Sequence, residues 1–218
     1  MTFDRSAVSA LLFDLDGTLI DSAADLAASS NWLREHQGMP RLPEAQVASY
    51  VGDGAEALVR RLLERPEGDV EEALDAFKRH YHEHCLDQTR LYPGVAATLE
   101  ALQGRGYKMA VVTNKPERIS KRIVDGLGVG RRFGSVVGGN TCKHKKPHPE
   151  PLLRACADLG AAAAAAAMVG DSRVDVEAGR NAGAATIGLL GGIGDLALLR
   201  AAAPDLLLEN FERLLEVL

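Results

Sequence analysis

A short apolar run, Leu11-Leu12-Phe13, ends in Asp14-Leu15-Asp16-Gly17-Thr18: two carboxylates one residue apart, then a glycine and a hydroxyl. In a strand, residues i and i+2 share a face, so Asp14 and Asp16 point into one pocket beyond the strand's C-terminal end. Two acids held that close repel each other and lose hydration, so folding alone gives no reason for them. A bound divalent cation supplies the reason, and hard oxygen ligands suit Mg2+. A plain strand running into a polar turn would also use Asp and Gly, so the rest of the chain has to decide.

The 218 residues, 46% of them hydrophobic, are enough for one full core plus a smaller module. The net charge of −5, with basic residues scattered apart from one cluster, argues against a nucleic-acid partner. No apolar run approaches membrane-spanning length, and the opening Met1-Thr2-Phe3-Asp4-Arg5 leads into no signal-like segment. Cys85, Cys142 and Cys156 are an odd number at unrelated spacings, which argues against a disulfide framework. The expectation is a cytoplasmic protein with no membrane partner. Monomer and homodimer are both open.

Residues 21–87 show apolar positions at helical spacings, among them Trp32-Leu33, Leu58-Val59, Leu62-Leu63 and Leu74-Phe77, with breaks at glycine and proline. They read as a small inserted α-helical domain. From Tyr92-Pro93-Gly94 onward, helix and strand alternate. Strands are expected at 109–112, 135–137, 168–169, 185–189 and 206–208. Helices are expected at 95–102, 116–127, 149–160, 174–182 and 211–217. This rhythm implies an α/β core of residues 1–20 and 88–218, a Rossmann-like parallel sheet with helices on both faces. The alanine run 161–167 favours helix although a turn and a strand must fit there, so the boundaries around it stay open.

Ligands in such sheets sit beyond the C-terminal strand ends, and four of those ends carry complementary groups. The first carries Asp14 and Asp16. The second, Thr113-Asn114-Lys115, offers a hydroxyl and a helix N-terminus whose free amides suit a phosphate. The third, Lys143-His144-Lys145-Lys146-Pro147, concentrates positive charge, and the fourth, Gly170-Asp171-Ser172-Arg173-Val174-Asp175, adds two acids one helical turn apart. Taken singly these are a helix cap, a solvated loop and another cap. Taken together in this order, each at a strand end of an α/β pattern, they are hard to explain as accidents.

Asp14-Leu15-Asp16-Gly17-Thr18, Thr113-Asn114, Lys146-Pro147 and Gly170-Asp171-Ser172-Xaa-Xaa-Asp175 resemble the four motifs of the haloacid-dehalogenase superfamily of phosphohydrolases. The match spans essentially the whole chain, and the helical insertion sits where one subgroup carries its cap domain. Within that superfamily, the opening through Asp21-Ser22 and Asp25-Leu26, with the cap segment around Gly52-Asp53-Gly54, is similar to the phosphoglycolate phosphatase family.

The resemblance implies Asp14 as nucleophile forming an aspartyl-phosphate, Asp16 as acid/base, and Lys146 as the counter-charge, with Lys143 and Lys145 as competitors for that role. It implies Mg2+ held by Asp14, the Asp16 backbone carbonyl and Asp171, with Asp175 orienting a ligand or water. Thr113 and Asn114 would hold phosphate oxygens. Gly52, Asp53 and Gly54 would close over the leaving group of a small phosphorylated metabolite, 2-phosphoglycolate first, with Arg60 and Arg61 as alternative contacts. Other small phosphoesters stay open: a sugar phosphate, N-acetylmuramate 6-phosphate or pyrophosphate. Thr18, where related phosphomutases carry an aliphatic residue, favours transfer to water over a mutase. A dehalogenase needs no metal, so Asp171 and Asp175 argue against one. A binding module that has lost turnover would not have kept every catalytic residue type.

Other features carry less. His80-Tyr81-His82-Glu83-His84 resembles a metal-binding tract but reads as a solvated helix. Cys142 reads as a free thiol, and His144 and His148 flank Lys146 without a fixed role. Gly191 to Asp195 reads as a flexible loop beside the site.

Overall fold

The computed structural model describes residues 5–218; the first four residues of the expected core lie outside it. Among the described residues eight strands form in chain order: β1 (Ala10–Phe13), β2 (Ile20–Asp21), β3 (Arg90–Leu91), β4 (Lys108–Val112), β5 (Ser135–Val137), β6 (Ala166–Gly170), β7 (Ala185–Leu189) and β8 (Leu206–Leu208). Six of them make one parallel sheet in the order β5-β4-β1-β6-β7-β8, while β2 and β3 pair antiparallel as a small ribbon. The strands hold almost no polar residues because both sheet faces are covered.

Alternation along β1 shows how. Leu11 and Phe13 join one apolar cluster, and Ala10 and Leu12 join the other. The first face packs against α5 (Val95–Gly104), α6 (Glu117–Gly126) and α10 (Leu214–Val217) through Leu99, Ile123 and Leu214. The second packs against α7 (Glu150–Leu159) and α8 (Arg173–Ala182) through Leu152, Ala155 and Ala178. Phe13 is fully buried, its ring centroid 5.5 Å from Phe211 and 6.3 Å from Phe133. Truncating such a residue costs about 3–5 kcal/mol, and here it would also loosen the strand end that carries Asp14.

Between β1 and β4 the chain makes four helices, α1 (Ala23–His36), α2 (Glu44–Ala48), α3 (Ala55–Leu62) and α4 (Glu71–His84). They bury Leu33, Val59, Leu62, Phe77 and Tyr81 against one another. Asp25, 1% exposed, accepts bonds from the Gln88 and Thr89 amides and from the Thr89 hydroxyl, tying the start of α1 to the chain that returns to the core.

The expected strands at 135–137, 185–189 and 206–208 stand at those residues. Around the alanine run, a 3-10 turn at Ala163–Ala165 leads directly into β6. Alanine's helix preference loses there because β6 pairs with β1 on one side and β7 on the other, and Ala166 and Ala167 are fully buried in that sheet. The expected closing helix is a 3-10 turn, Phe211–Arg213, followed by α10. One further helix, α9 (Leu196–Ala201), follows the glycine loop, with the Asp195 side chain accepting from the Ala197 and Leu198 amides as its cap.

Candidate active site

The order in which strands are added to the sheet switches sides at β1. The chain runs outward from β1 through β4 to β5, then returns to β1's other side at β6. The C-terminal ends of β1, β4 and β6 therefore meet in one crevice. Phe13 pairs in register with Val111 and Val169, and the Asp14 amide donates to the Val169 carbonyl at 2.9 Å. This brings Asp14, Thr113 and Asp171 together from distant parts of the chain.

Asp14, Asp171 and Asp175 each offer a carboxylate oxygen within 4.8 Å of the others. Among the described residues this is the one such group of potential metal ligands. Burial, with Asp175 and Asp16 nearby, pushes the Asp14 carboxyl up to about 6 against the pull of Lys146. Burial, with Asp175 and Asp14, pushes Asp171 up to about 7, although the Gly194 amide and Thr18 hydroxyl favour its charge. Asp14 Oδ1 is buried and accepts no well-directed hydrogen bond, though Lys146 Nζ lies 2.9 Å away. Crowded, desolvated, all-oxygen donors of this kind fit a hard divalent cation such as Mg2+.

Each acid is held differently. Asp171 accepts from Thr18 Oγ1 and from the Gly194 amide, both at 2.9 Å. Side chains at Gly17 and Gly192 would stand 2.1 and 2.2 Å from its Oδ2, and Gly17 adopts φ +80° besides. The loop at 191–195 is thus the wall behind Asp171. Asp175 Oδ1 accepts from Lys146 Nζ at 2.6 Å and its Oδ2 accepts from the Ser172 amide and hydroxyl, so it also caps α8.

Lys146, 5% exposed, lies between Asp14 and Asp175. Burial disfavours its charge, but the two carboxylates outweigh that and hold the ammonium above the usual lysine value. Of its two competitors, Lys145 lies against Gly54, and among the described residues the ammonium paired with Asp14 and Asp175 is that of Lys146. Asn114 brackets Lys146: its side chain accepts from the Lys146 amide at 2.9 Å and donates to the Lys146 carbonyl at 3.0 Å. The same amide group donates to the Gly52 carbonyl at 2.9 Å, which joins the loop before α3 to the core. Thr113 Oγ1 lines the cleft and accepts from the Lys115 amide at 3.2 Å, leaving its own proton to give.

Gly52 and Gly54 line the cleft. Asp53 does not line it; its carboxylate is paired with Arg61. Arg60 is engaged by Glu56 and the Gly68 carbonyl, away from the cleft. The histidine tract stacks instead of gathering: His80 lies 4.2 Å from Trp32 and 4.4 Å from His84 by ring centroid, and His80 Nδ1 meets Ser29 Oγ. All three cysteines are free, and Cys85 and Cys156 are buried.

Sequence reasoning passed over Lys115. Its ammonium donates to both Asp16 oxygens, at 2.7 and 2.8 Å, and Ser22 Oγ donates to Asp16 as well. Lys115 follows Thr113-Asn114 at a strand end, so its place was visible, but the partner lies on another strand.

Residues 11–189 match the family model described as haloacid dehalogenase-like hydrolase. The chain is 37% identical over 215 residues to a phosphoglycolate phosphatase of Haemophilus influenzae, covering 94% of this chain and 96% of that protein. It is 42% identical over 176 residues to a phosphoglycolate phosphatase of Aquifex aeolicus, covering 81% and 82%. The crystal structure of a predicted phosphoglycolate phosphatase from Haemophilus somnus superposes with a TM-score of 0.87 at 33% identity, covering 97% of this chain and 98% of that one. A parallel sheet with an acidic crevice at its switch point, matched over nearly the full length by these proteins, makes the chain an enzyme of the haloacid dehalogenase-like hydrolase family.

Proposed function

We propose that this hydrolase is a Mg2+-dependent phosphatase of a small phosphorylated metabolite, 2-phosphoglycolate, working through an aspartyl-phosphate on Asp14. The observation that carries the reading is the meeting of Asp14, Asp171 and Asp175 within 4.8 Å beside the buried Lys146. The substrate rests on the relatives named phosphoglycolate phosphatase.

In this reading Asp14 attacks phosphorus, and the bond from phosphorus to the ester oxygen breaks. Asp16 gives its proton to the departing alkoxide, then takes one from the water that cleaves the acyl phosphate. Lys146 offsets the charge gathered between nucleophile and phosphate, and Thr113 donates to a phosphate oxygen. Asp14, the Asp16 backbone carbonyl and Asp171 would hold Mg2+, which when bound neutralises phosphate charge and aligns the attack. Asp175 holds Lys146 in place. The helices at 21–87 act as a cap over an α/β core at 1–20 and 88–218, with the loop at 52–54 excluding water from the departing group.

Phosphate release from a panel of esters, with and without Mg2+ and with Asp14→Asn as the blank, tests this. Mg2+-dependent release strongest on 2-phosphoglycolate is expected. Release strongest on a sugar phosphate, N-acetylmuramate 6-phosphate or pyrophosphate would keep the chemistry and replace the substrate. Phosphate moved to another position of the same molecule, with none freed, would make the enzyme a phosphomutase.

A further inference from the structure

The catalytic acids account for one end of the cleft. The cleft is lined besides by Leu26, Val51, Leu58, Phe77 and Ile119, and it holds two polar groups to which the phosphoryl transfer above assigns no step of their own. One is the Lys115 ammonium, the single basic side chain among the described residues that line the cleft. The other is the Tyr81 hydroxyl, on a side chain 1% exposed, which makes no well-directed hydrogen bond and faces the Lys115 ammonium. Lys115 Nζ lies 4.7 Å from the Tyr81 ring centroid, so the two form one polar patch contributed by α4 and the end of β4. A buried hydroxyl without a well-directed partner is costly, which is tolerated where a ligand completes it.

We infer that Lys115 and Tyr81 form the subsite that reads a carboxylate on the leaving group, and so select phosphorylated short hydroxy acids over simple alkyl phosphates. This rests on the phosphatase reading for its substrate. Lys115 has three N–H bonds, and Asp16 takes two of them, leaving one for a ligand. An Asp16 oxygen about 2.7 Å from the leaving oxygen and 2.7 Å from Lys115 Nζ puts the ammonium within about 5 Å of that oxygen. A carboxylate one methylene beyond the ester oxygen bridges that gap. The tyrosine hydroxyl then donates to the carboxylate's second oxygen.

Other candidates for the carboxylate are already engaged. Arg60 and Arg61 bond to Glu56 and Asp53, and Lys146 lies between Asp14 and Asp175. A longer or bulkier acid would meet the apolar wall formed by Phe77 and Leu58.

The experiment compares kcat/KM for 2-phosphoglycolate with that for ethyl phosphate, which has the same chain length and no carboxylate, in wild type, Lys115→Met and Tyr81→Phe. Calorimetric titration with glycolate, the carboxylate product, runs beside it. The wild-type preference for 2-phosphoglycolate should fall by about 100-fold in Lys115→Met and about 10-fold in Tyr81→Phe, and glycolate binding should weaken in the same order. A preference ratio and glycolate affinity within twofold of wild type in both variants would overturn the inference. If Lys115→Met does not fold, Tyr81→Phe decides, because it removes one oxygen that makes no well-directed bond in the protein. If the wild type hydrolyses neither ester, the phosphatase reading falls, and the glycolate titration still judges the subsite.

Discussion

The Lys146 ammonium stands 2.9 Å from Asp14 Oδ1, and its other contact, Asp175 Oδ1 at 2.6 Å, is buried to the same degree as the lysine itself. One cation thus serves the proposed nucleophile and the acid that caps α8. Removing it leaves two carboxylates uncompensated in a crevice where each already costs hydration.

Lys146→Ala should therefore lower stability by about 3–5 kcal/mol and reduce turnover more than 100-fold. Lys145→Ala, which removes a side chain lying against Gly54, should change turnover less than tenfold. Urea denaturation and initial rates on the two variants check this. Equal loss in both would move the counter-charge role to Lys145.

The Thr18 hydroxyl gives its proton to Asp171 at 2.9 Å and is 1% exposed. Thr18→Val keeps the shape and removes the donor. Mg2+ affinity should drop about 10–100-fold, since groups that orient a ligand typically matter by that much. Titration calorimetry reads the affinity directly. An unchanged affinity would separate Asp171 from the metal.

Asp14 and Asp171 are both raised, to about 6 and about 7, chiefly by burial. A raised carboxyl favours the fold while it is protonated. In metal-free protein this contribution is fully present below about pH 4, and it is lost as pH rises through about 6 and 7. Mg2+ must displace those protons, so its affinity should climb with pH below about 6 and level off above about 7, with protons released on binding. Titrations between pH 5 and 8 in buffers of different ionisation heat measure both effects. Affinity independent of pH would refute the assignment of these two carboxyls as ligands.

Asn114, 6% exposed, makes three side-chain bonds, two to the Lys146 backbone and one to the Gly52 carbonyl. Asn114→Ala leaves those backbone groups unpaired, at about 1–3 kcal/mol each where they stay dry. Thermal melts should show a clear loss of stability, and KM should rise as the loop at Gly52 loosens. Asn114→Asp should be worse, because a carboxylate would face the Lys146 and Gly52 carbonyls. If the aspartate variant were as stable as wild type, the bracketing role would be wrong.

The α/β class was legible because both the period of the strands and their burial on two faces are local properties of the sequence. The strands at 135–137, 185–189 and 206–208 followed directly from short β-branched or leucine runs between turn residues. The alanine run was not legible, since a residue with little side chain carries little pattern, and neighbouring strands decided its conformation. The six-residue helix α9 was too short for periodicity to show. Its cap, Asp195, was present, but it follows a glycine-rich stretch that reads as a loop.

The site divided along the same line. The sequence alone determined which acids stand at strand ends, because Asp14 to Asp16 and Asp171 to Asp175 are fixed by short-range spacing in a strand and in a helical turn. Only the tertiary structure decided which bases meet them. Three lysines within four residues are alike in composition, and parallel register together with the Asn114 bracket put Lys146, and not its neighbours, beside Asp14. Lys115 and Asp16 meet for the same reason, across adjacent strands β4 and β1. An ion pair between side chains far apart in the chain exists only once the sheet has closed the distance, and a linear pattern carries no trace of it.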